Sequence, residues 1–491
     1  MRDLIPPPSE PVLGSDAPDA ITLGRFMDEE FGIAERIRYG GDQGVVLLGA
    51  NGKGKGTRIL APNLLEMSNC SLFVTDPKGE LAAITAPFRR SVGKVVVINP
   101  FGVLTDISGY EDLTSEGFNP LIGLDPDSRR FNSQVAQIAD ALVPIEGKDP
   151  HWSKSARSLV AALLMFVVIE AKYRRRVPTM RRFRELLCQP SEPPHKGNEF
   201  EGVGLPKLLS ALAKAKHAGL ANKAAQFAVW TDEIKSVVST AQIQTEPFDD
   251  DEIADDMAKG GFDFGQLKRE PVTVYVILPP DMMERHSRWL RLLLTRAIQS
   301  VLRRRAPGEF KTVFMLDEFY ALGHLQIVSS AWALVRGYGI QMMPVLQDLN
   351  QLKELYPKNF ETFLGMAGAV ASFAPNDLTS AEWLSKHGGE ASRLSYTLNE
   401  TSGTGGNSGW SSNPNGSGSA SGGSSWSSSK SFTTAAVRAP TISAHRLFGL
   451  SAGQMVMTLD GGSNLVPVYA PPYYDIRRRA LVARDNPYYL A

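Results

Sequence analysis

Cysteine is almost missing from this chain. Its 491 residues include only Cys70 and Cys188, too few for a disulfide framework and too far apart for a cysteine metal site, which suits a reducing cytoplasm. Excess charge is missing too. Fifty-two basic residues balance 52 acidic ones, for a formal charge of +0. A polyanion would therefore have to be gripped by local basic patches, not by an overall field. Long apolar runs are lacking: the most apolar stretch, Leu159–Ile169, is about half of what a bilayer crossing needs and reads as a buried helix. The first forty residues are polar and Pro-rich, so no signal peptide is read there. No helix-turn-helix, zinc-finger or single-strand aromatic signature is present. The remainder is 43% hydrophobic and 21% charged, a soluble globular chain long enough for two or three domains.

The most informative stretch is GVVLLGANGKGKGT, residues 44–57. A short apolar run enters Gly49, Gly54-Lys55 follows after four residues, and apolar positions recur at helical spacing from Arg58 to Met67. Strand, glycine-rich loop and helix form the context of a phosphate loop. The loop Gly49, Ala50, Asn51, Gly52, Lys53, Gly54 can converge backbone N–H groups on phosphate oxygens, and Lys55 can reach the β- and γ-phosphates. Gly56 stands where a Mg²⁺-binding Ser or Thr is usual, and Thr57 comes one place later.

A second motif, TVFMLDE at 312–318, is a buried strand ending in adjacent carboxylates. Asp317 is placed to hold Mg²⁺ and Glu318 to polarise an attacking water. A third, LFVTDPKGEL at 72–81, follows the phosphate-loop helix. Ligands of wound sheets sit beyond the carboxyl ends of strands, which puts Asp76, Lys78 and Glu80 near a nucleotide; a structural turn built on Pro77 and Gly79 is the alternative, and Asp76 competes with Asp317 for the metal. Arg336 precedes the next strand and Gln347 ends it. Arg336 is either an arginine used across a subunit boundary or an ordinary surface residue, whereas Gln347 can sense phosphate or position water. Basic runs at 172–176, 181–184, 303–305 and 477–479 are either nucleic-acid contacts or solvated helix faces.

Along the chain, residues 1–40 read as a leader with a short amphipathic stretch. Residues 41–105 and 269–398 alternate apolar strands with helices and form one α/β nucleotide-binding domain in two parts. Between them, 106–268 is helical in period, with helices expected over 132–143, 153–171, 180–187, 205–218 and 221–240. Residues 399–431 are Gly, Ser, Thr and Asn with Trp410 and Trp426, a composition that predicts a disordered loop. Residues 432–475 then read as closing strands around a hairpin at Asp460-Gly461-Gly462, and 476–491 as a tail.

These motifs, together with APNLL, INPFG, FNPL, HWSKSARSLVAALL, TVYVILPP, FMLDEFYALGHL, RGYG, VLQDLNQL and AHRLFGLSAGQMVM in that order, resemble the type IV secretion coupling proteins of bacterial conjugation. These are the TraG/TraD-like ATPases, relatives of the FtsK and HerA translocases. The resemblance covers about Gly44 to Tyr474. It implies a RecA-like P-loop NTPase domain with an inserted all-α domain, assembled as a homohexamer that uses ATP and Mg²⁺. Lys55 matches the phosphate-loop lysine, Asp317 and Glu318 the Walker B pair, Arg336 an arginine acting in trans, and Gln347 the glutamine of the next motif; Thr57 and Asp317 would hold the metal. The implied partners are relaxase-bound single-stranded DNA, relaxosome or effector proteins, and secretion-channel and membrane proteins, at the cytoplasmic face of the inner membrane. Members typically begin with transmembrane helices, and none is read here. That departure implies recruitment by a separate membrane partner, or a chain whose anchor has been removed. Two functions follow: a motor that moves DNA or nucleoprotein, or a platform that uses nucleotide to assemble and present protein substrates.

Overall fold

Strands that are buried on both faces read as unbroken apolar runs, and seven of them build the centre of the computed structural model, which describes residues 15–28, 32–145, 150–190, 204–334, 337–412, 418–459 and 465–489. In chain order the strands are β1 (Ile21–Asp28), β2 (Gly32–Tyr39), β3 (Val45–Leu48), β4 (Cys70–Thr75), β5 (Lys94–Ile98), β6 (Val272–Val276), β7 (Lys311–Leu316), β8 (Ile340–Leu346), β9 (Ala369–Phe373), β10 (Glu390–Ser412), β11 (Gly418–Pro440), β12 (Gln454–Leu459) and β13 (Val466–Tyr469). Eleven form one sheet in the order β2-β1-β13-β12-β9-β3-β8-β7-β4-β6-β5. From β9 to β5 all neighbours are parallel. The other four extend the sheet as antiparallel strands.

Successive side chains of a strand point to opposite faces, and the two faces have separate cores. Val45, Leu47, Leu72, Val74, Val313 and Met315 pack with the phosphate-loop helix and with helix Glu80–Val92. Val46, Leu48, Phe73, Phe314 and Leu316 join the other core, which is continuous with the helices of 131–267. Phe73 makes the junction, with its ring 5.2 Å from Phe314 and 6.2 Å from Phe264, which in turn meets Phe118 at 5.9 Å.

Among the described residues 106–268 hold no strand. The central helix, Pro150–Arg174, is surrounded by Phe131–Leu142, Met180–Leu187, Ala218–Ala225 and Asp232–Thr245. It contains the one described segment long and apolar enough to cross a membrane, His151–Arg174, yet 61% of its most apolar window is buried within the protein. The helix expected over 221–240 is broken, because Thr231 leaves helical geometry to accept a hydrogen bond from the Ile234 amide and cap a new helix. The helix expected over 205–218 ends at Leu212.

Two further expectations are corrected. Residues 1–40 are not merely a leader: β1 and β2 complete the sheet edge, with Ile21 and Leu23 fully buried. Asn63 of the phosphate-loop helix pins this edge by accepting from the Thr22 amide at 2.7 Å and donating to the Thr22 carbonyl at 2.8 Å. The strand was hard to read because Gly24, at φ 138°, interrupts the alternation at a bulge pressed against Val468. Likewise, of the stretch 399–431 read as a disordered loop, 413–417 lie outside the described residues and the rest lies in β10 and β11, which pair only with each other, from Glu390↔Pro440 to Ser412↔Gly418. Paired backbones satisfy their own hydrogen bonds without a core. Trp426 is 82% exposed.

That hairpin should be energetically separate from the body. Asn399 faces Ser431 in register, so excising 400–430 and closing the strands with an Asn-Gly turn should shift the melting temperature by less than about 2 °C. A loss of more than about 5 °C in a calorimetric scan would show that the outer hairpin packs on the rest of the chain.

Candidate active site

The phosphate loop begins where β3 runs out. The Gly49 amide donates to the Leu346 carbonyl at 3.0 Å, tying the loop to the end of β8. Gly52 and Gly54 take φ of 77° and 93°, a region closed to most side chains, and Asn51 and Gly52 are exposed. Lys53 donates its amide to the Ala50 carbonyl at 3.3 Å. The first turn after Gly54, Lys55–Leu60, is a π-helical turn leading into Ala61–Leu64. Lys55 is buried, and its ammonium donates to the Gly49 carbonyl at 2.6 Å and the Ala50 carbonyl at 3.4 Å. Thr57 lies one turn on, its hydroxyl 3.5 Å from the Gly54 carbonyl. A Cβ on Gly56 would meet Leu81 at 4.0 Å, so glycine there is not a packing requirement.

Parallel β4 and β7 bring their carboxyl ends side by side, Thr75 opposite Leu316. The Thr75 hydroxyl donates to the Asp317 carbonyl at 2.8 Å. Glu318 adopts φ 48°, a left-handed conformation that is rare for a residue with a Cβ. Its amide donates to the Asp317 carboxylate at 3.1 Å. Asp317 is half-buried, and its carboxyl is crowded by protein atoms. Burial pushes that carboxyl up to about 6, with Glu318 repelling it and Lys55 partly offsetting both. The Lys55 ammonium is held below the usual lysine range by burial, against the pull of Asp317 and Glu318 and with a smaller like-charge push from Lys78.

Asp76 takes part in the structural turn that was one of the two alternatives the sequence left open. It builds a turn, its carboxylate accepting from the Ala82 amide at 2.8 Å and its carbonyl from Gly79 at 3.0 Å. It also sits fully buried within electrostatic reach of Asp317. Burial pushes it up to about 7, Asp317 and Glu80 adding to the shift and the amides opposing it. Gln347 follows β8, half-buried, and its amide donates to the Gln351 side chain at 2.9 Å. Lys55, Asp76, Asp317 and Glu318 are thus brought into one electrostatic cluster, with Gln347 following the strand that anchors the loop. Arg336 lies outside the described residues.

Arg58 was not read as part of this region. Its guanidinium donates to the Ala470 carbonyl at 2.7 Å, fastening the phosphate-loop helix to the segment after β13. The basic runs, in contrast, are largely paired internally. Lys172 bonds Asp125 and Asp127 at 2.6 and 2.7 Å, Arg182 bonds Glu170 at 3.0 Å, and Arg181 bonds Asp255 at 2.8 Å. Arg184 and Asp249 form a two-pronged pair, and the buried Arg479 holds Glu66 at 2.7 Å. Among the described residues this leaves Arg175, Arg176, Arg304, Arg305, Arg477 and Arg478 exposed without an ion pair.

Residues 15–416 match the family described as Type IV secretory system Conjugative DNA transfer. The chain belongs to that family. Among its relatives, a conjugal transfer protein TraG of Escherichia coli is 27% identical over 407 residues, which cover 78% of this chain and 60% of that protein. VirD4 of Rhizobium rhizogenes is 26% identical over 353 residues, 69% of this chain and 48% of the relative. The chain therefore spans about 60% or less of these curated relatives. Among solved structures, the unbound bacterial conjugative coupling protein TrwBdeltaN70 superposes with a TM-score of 0.59 at 15% identity, covering 88% of this chain and 85% of that one. The plasmid coupling protein TrwB in complex with ADP and Mg²⁺ gives 0.56 at 14% identity, with 88% and 85% covered. At such identity the likeness is one of fold, a RecA-like P-loop domain with a helical domain inserted, as the resemblance implied.

The raised carboxyl of Asp76 makes a stability prediction. Its folded value, about 7, lies above the ordinary 3.8, so the folded state holds the proton more tightly. The ionised group therefore costs stability, increasingly from about pH 4 to pH 7, and the cost vanishes below that window. Asp76→Asn should gain on the parent by roughly 2 kcal/mol more at pH 8 than at pH 5, read by denaturant titration. An equal effect at both pH values would show that Asp76 ionises normally.

Proposed function

We propose that the chain is an ATP-hydrolysing motor that recruits a relaxase–DNA complex or a protein substrate to a type IV secretion channel and energises its transfer. One observation carries this reading. In a member of the conjugative DNA transfer family, Lys55, Asp317 and Glu318 converge at the carboxyl ends of parallel strands.

The residues have distinct parts. Lys55 exchanges the Gly49 and Ala50 carbonyls for β- and γ-phosphate oxygens, while the amides of 49–56 cradle the phosphates. The Thr57 hydroxyl and the Asp317 carboxylate are hard oxygen donors that suit Mg²⁺, and a buried carboxyl whose value is pushed up to about 6 gains most from a cation. When bound, Mg²⁺ supplies neutralisation of phosphate charge. Glu318, held by its left-handed backbone, orients and polarises water. Gln347 reports the state of the γ-phosphate from the end of β8. Arg336 completes the site from a neighbouring subunit, which makes the active species a ring, taken here as a homohexamer. The work is done at the cytoplasmic face of the inner membrane, through membrane and channel partners.

A second reading, an ATP-assembled platform for protein effectors, has an observation of its own: the formal charge of +0 gives no overall field for a polyanion, and Lys172, Arg182 and Arg479 are spent on internal ion pairs.

Point variants test the nucleotide chemistry. Lys55→Ala should weaken ATP binding, whereas Glu318→Gln should retain ATP and Mg²⁺ but lose about 10²-fold or more in turnover. Both are read by fluorescent-nucleotide titration and phosphate release. Turnover at the parental rate in Glu318→Gln would show that the catalytic carboxylate lies elsewhere.

A further inference from the structure

The segment after β13 returns across the molecule to the turn that follows β4. Its Arg484 is the anchor: the amide donates to the Ile84 carbonyl at 2.9 Å, Nε to the Ala83 carbonyl at 2.7 Å, and Nη1 to the Gly109 carbonyl at 2.7 Å and to Asp112 at 2.8 Å. The guanidinium also lies 4.3 Å over the Tyr110 ring, and the Tyr110 hydroxyl donates to the Asp485 carbonyl at 2.7 Å. From that anchor two side chains reach the turn. Asn486 donates to the Glu80 carboxylate, and the Tyr488 hydroxyl donates to the Lys78 carbonyl at 2.7 Å.

Lys78 is what this clasp presents. The turn is closed from inside by Asp76, which takes the Ala82 amide, so the start of helix Glu80–Val92 is already partnered and the turn's remaining group for an anion is the lysine. Lys78 is exposed, and among the described residues its ammonium has no ion pair or hydrogen bond. Its turn leaves the carboxyl end of β4 beside that of β7, where Thr75 stands opposite Leu316 and the Thr75 hydroxyl donates to the Asp317 carbonyl at 2.8 Å, so Lys78 lies on the edge of the sheet where ligands of wound sheets sit.

We propose that Lys78 is a second phosphate-binding cation of the nucleotide site and that Tyr488 and Asn486 are positioning residues that hold its turn. This rests on the nucleotide reading above. It gives the C-terminal segment a part in the nucleotide cycle, because any partner that lifts Arg484–Tyr488 away would loosen Lys78.

Steady-state ATP turnover and Mg²⁺·ATP titration of the full chain test it, with Lys78→Met, Lys78→Arg, Tyr488→Phe and the Lys78→Met/Tyr488→Phe pair. A charged hydrogen bond to phosphate predicts a loss in kcat/KM of about 10–100-fold for Lys78→Met, with part of it restored by Lys78→Arg. Tyr488→Phe, which removes one oxygen, should lose about two- to five-fold without moving the melting temperature. In the Lys78→Met background it should lose nothing further. A Lys78→Met protein with parental kcat/KM, beside a parent that binds and hydrolyses ATP, overturns this inference alone. A parent that binds no ATP overturns the nucleotide reading and this with it. If Tyr488→Phe costs as much in the Lys78→Met background as in the parent, the clasp does not work through Lys78.

Discussion

Everything near the nucleotide cleft depends on negative charge being crowded by protein atoms at the strand ends. Asp76 and Asp317 end neighbouring strands, both are pushed well above the ordinary aspartate range by burial, and each repels the other. Such a pair is costly in a low-dielectric setting unless cations are near. Lys55 is the buried cation that partly offsets the shift of Asp317, and Lys55 is itself pulled down by burial. The cluster is therefore unfavourable as it stands and is relieved by what a phosphate loop and a carboxylate pair bind together, a polyphosphate and a divalent cation. The cost is carried by the sheet. Seven parallel strands, apolar on both faces, fix the strand ends whose loops bear these residues.

The helices of 131–267 share the apolar core of one face of that sheet. Phe73, Phe264 and Phe118 run from the middle of β4 into the helices, so the strand that carries Asp76 at its end carries the junction in its interior. Within the helices, Arg184 and Arg182 are used as ties between segments. Paired guanidiniums of this kind hold helices in register and contribute little to a polyanion surface.

Legibility in the sequence followed the range of the interactions. The central strands announce themselves because a strand buried on both faces must be apolar at every position, as in VVLL of β3 and TVFML of β7. The loop glycines, Lys55, Asp317 and Glu318 were legible for a local reason also, since phosphate and metal chemistry demand those residue types next to a strand end. β1 was missed because Gly24 breaks its alternation. The hairpin of β10 and β11 was missed because Gly and Ser carry little strand preference. Contacts such as Arg58 with Ala470, and Tyr488 with Lys78, join positions 412 and 410 apart. No local pattern encodes them.

The account's central claim is that this site drives a ring-shaped motor acting on nucleic acid. The measurement that tests it most directly is the specific rate of ATP hydrolysis by the parental chain, followed over a wide range of protein concentration with and without single-stranded DNA. The account predicts a specific rate that rises with concentration as subunits complete one another's sites, and that rises further when single-stranded DNA is added. A rate per chain that is constant down to dilute monomer and indifferent to DNA would contradict it.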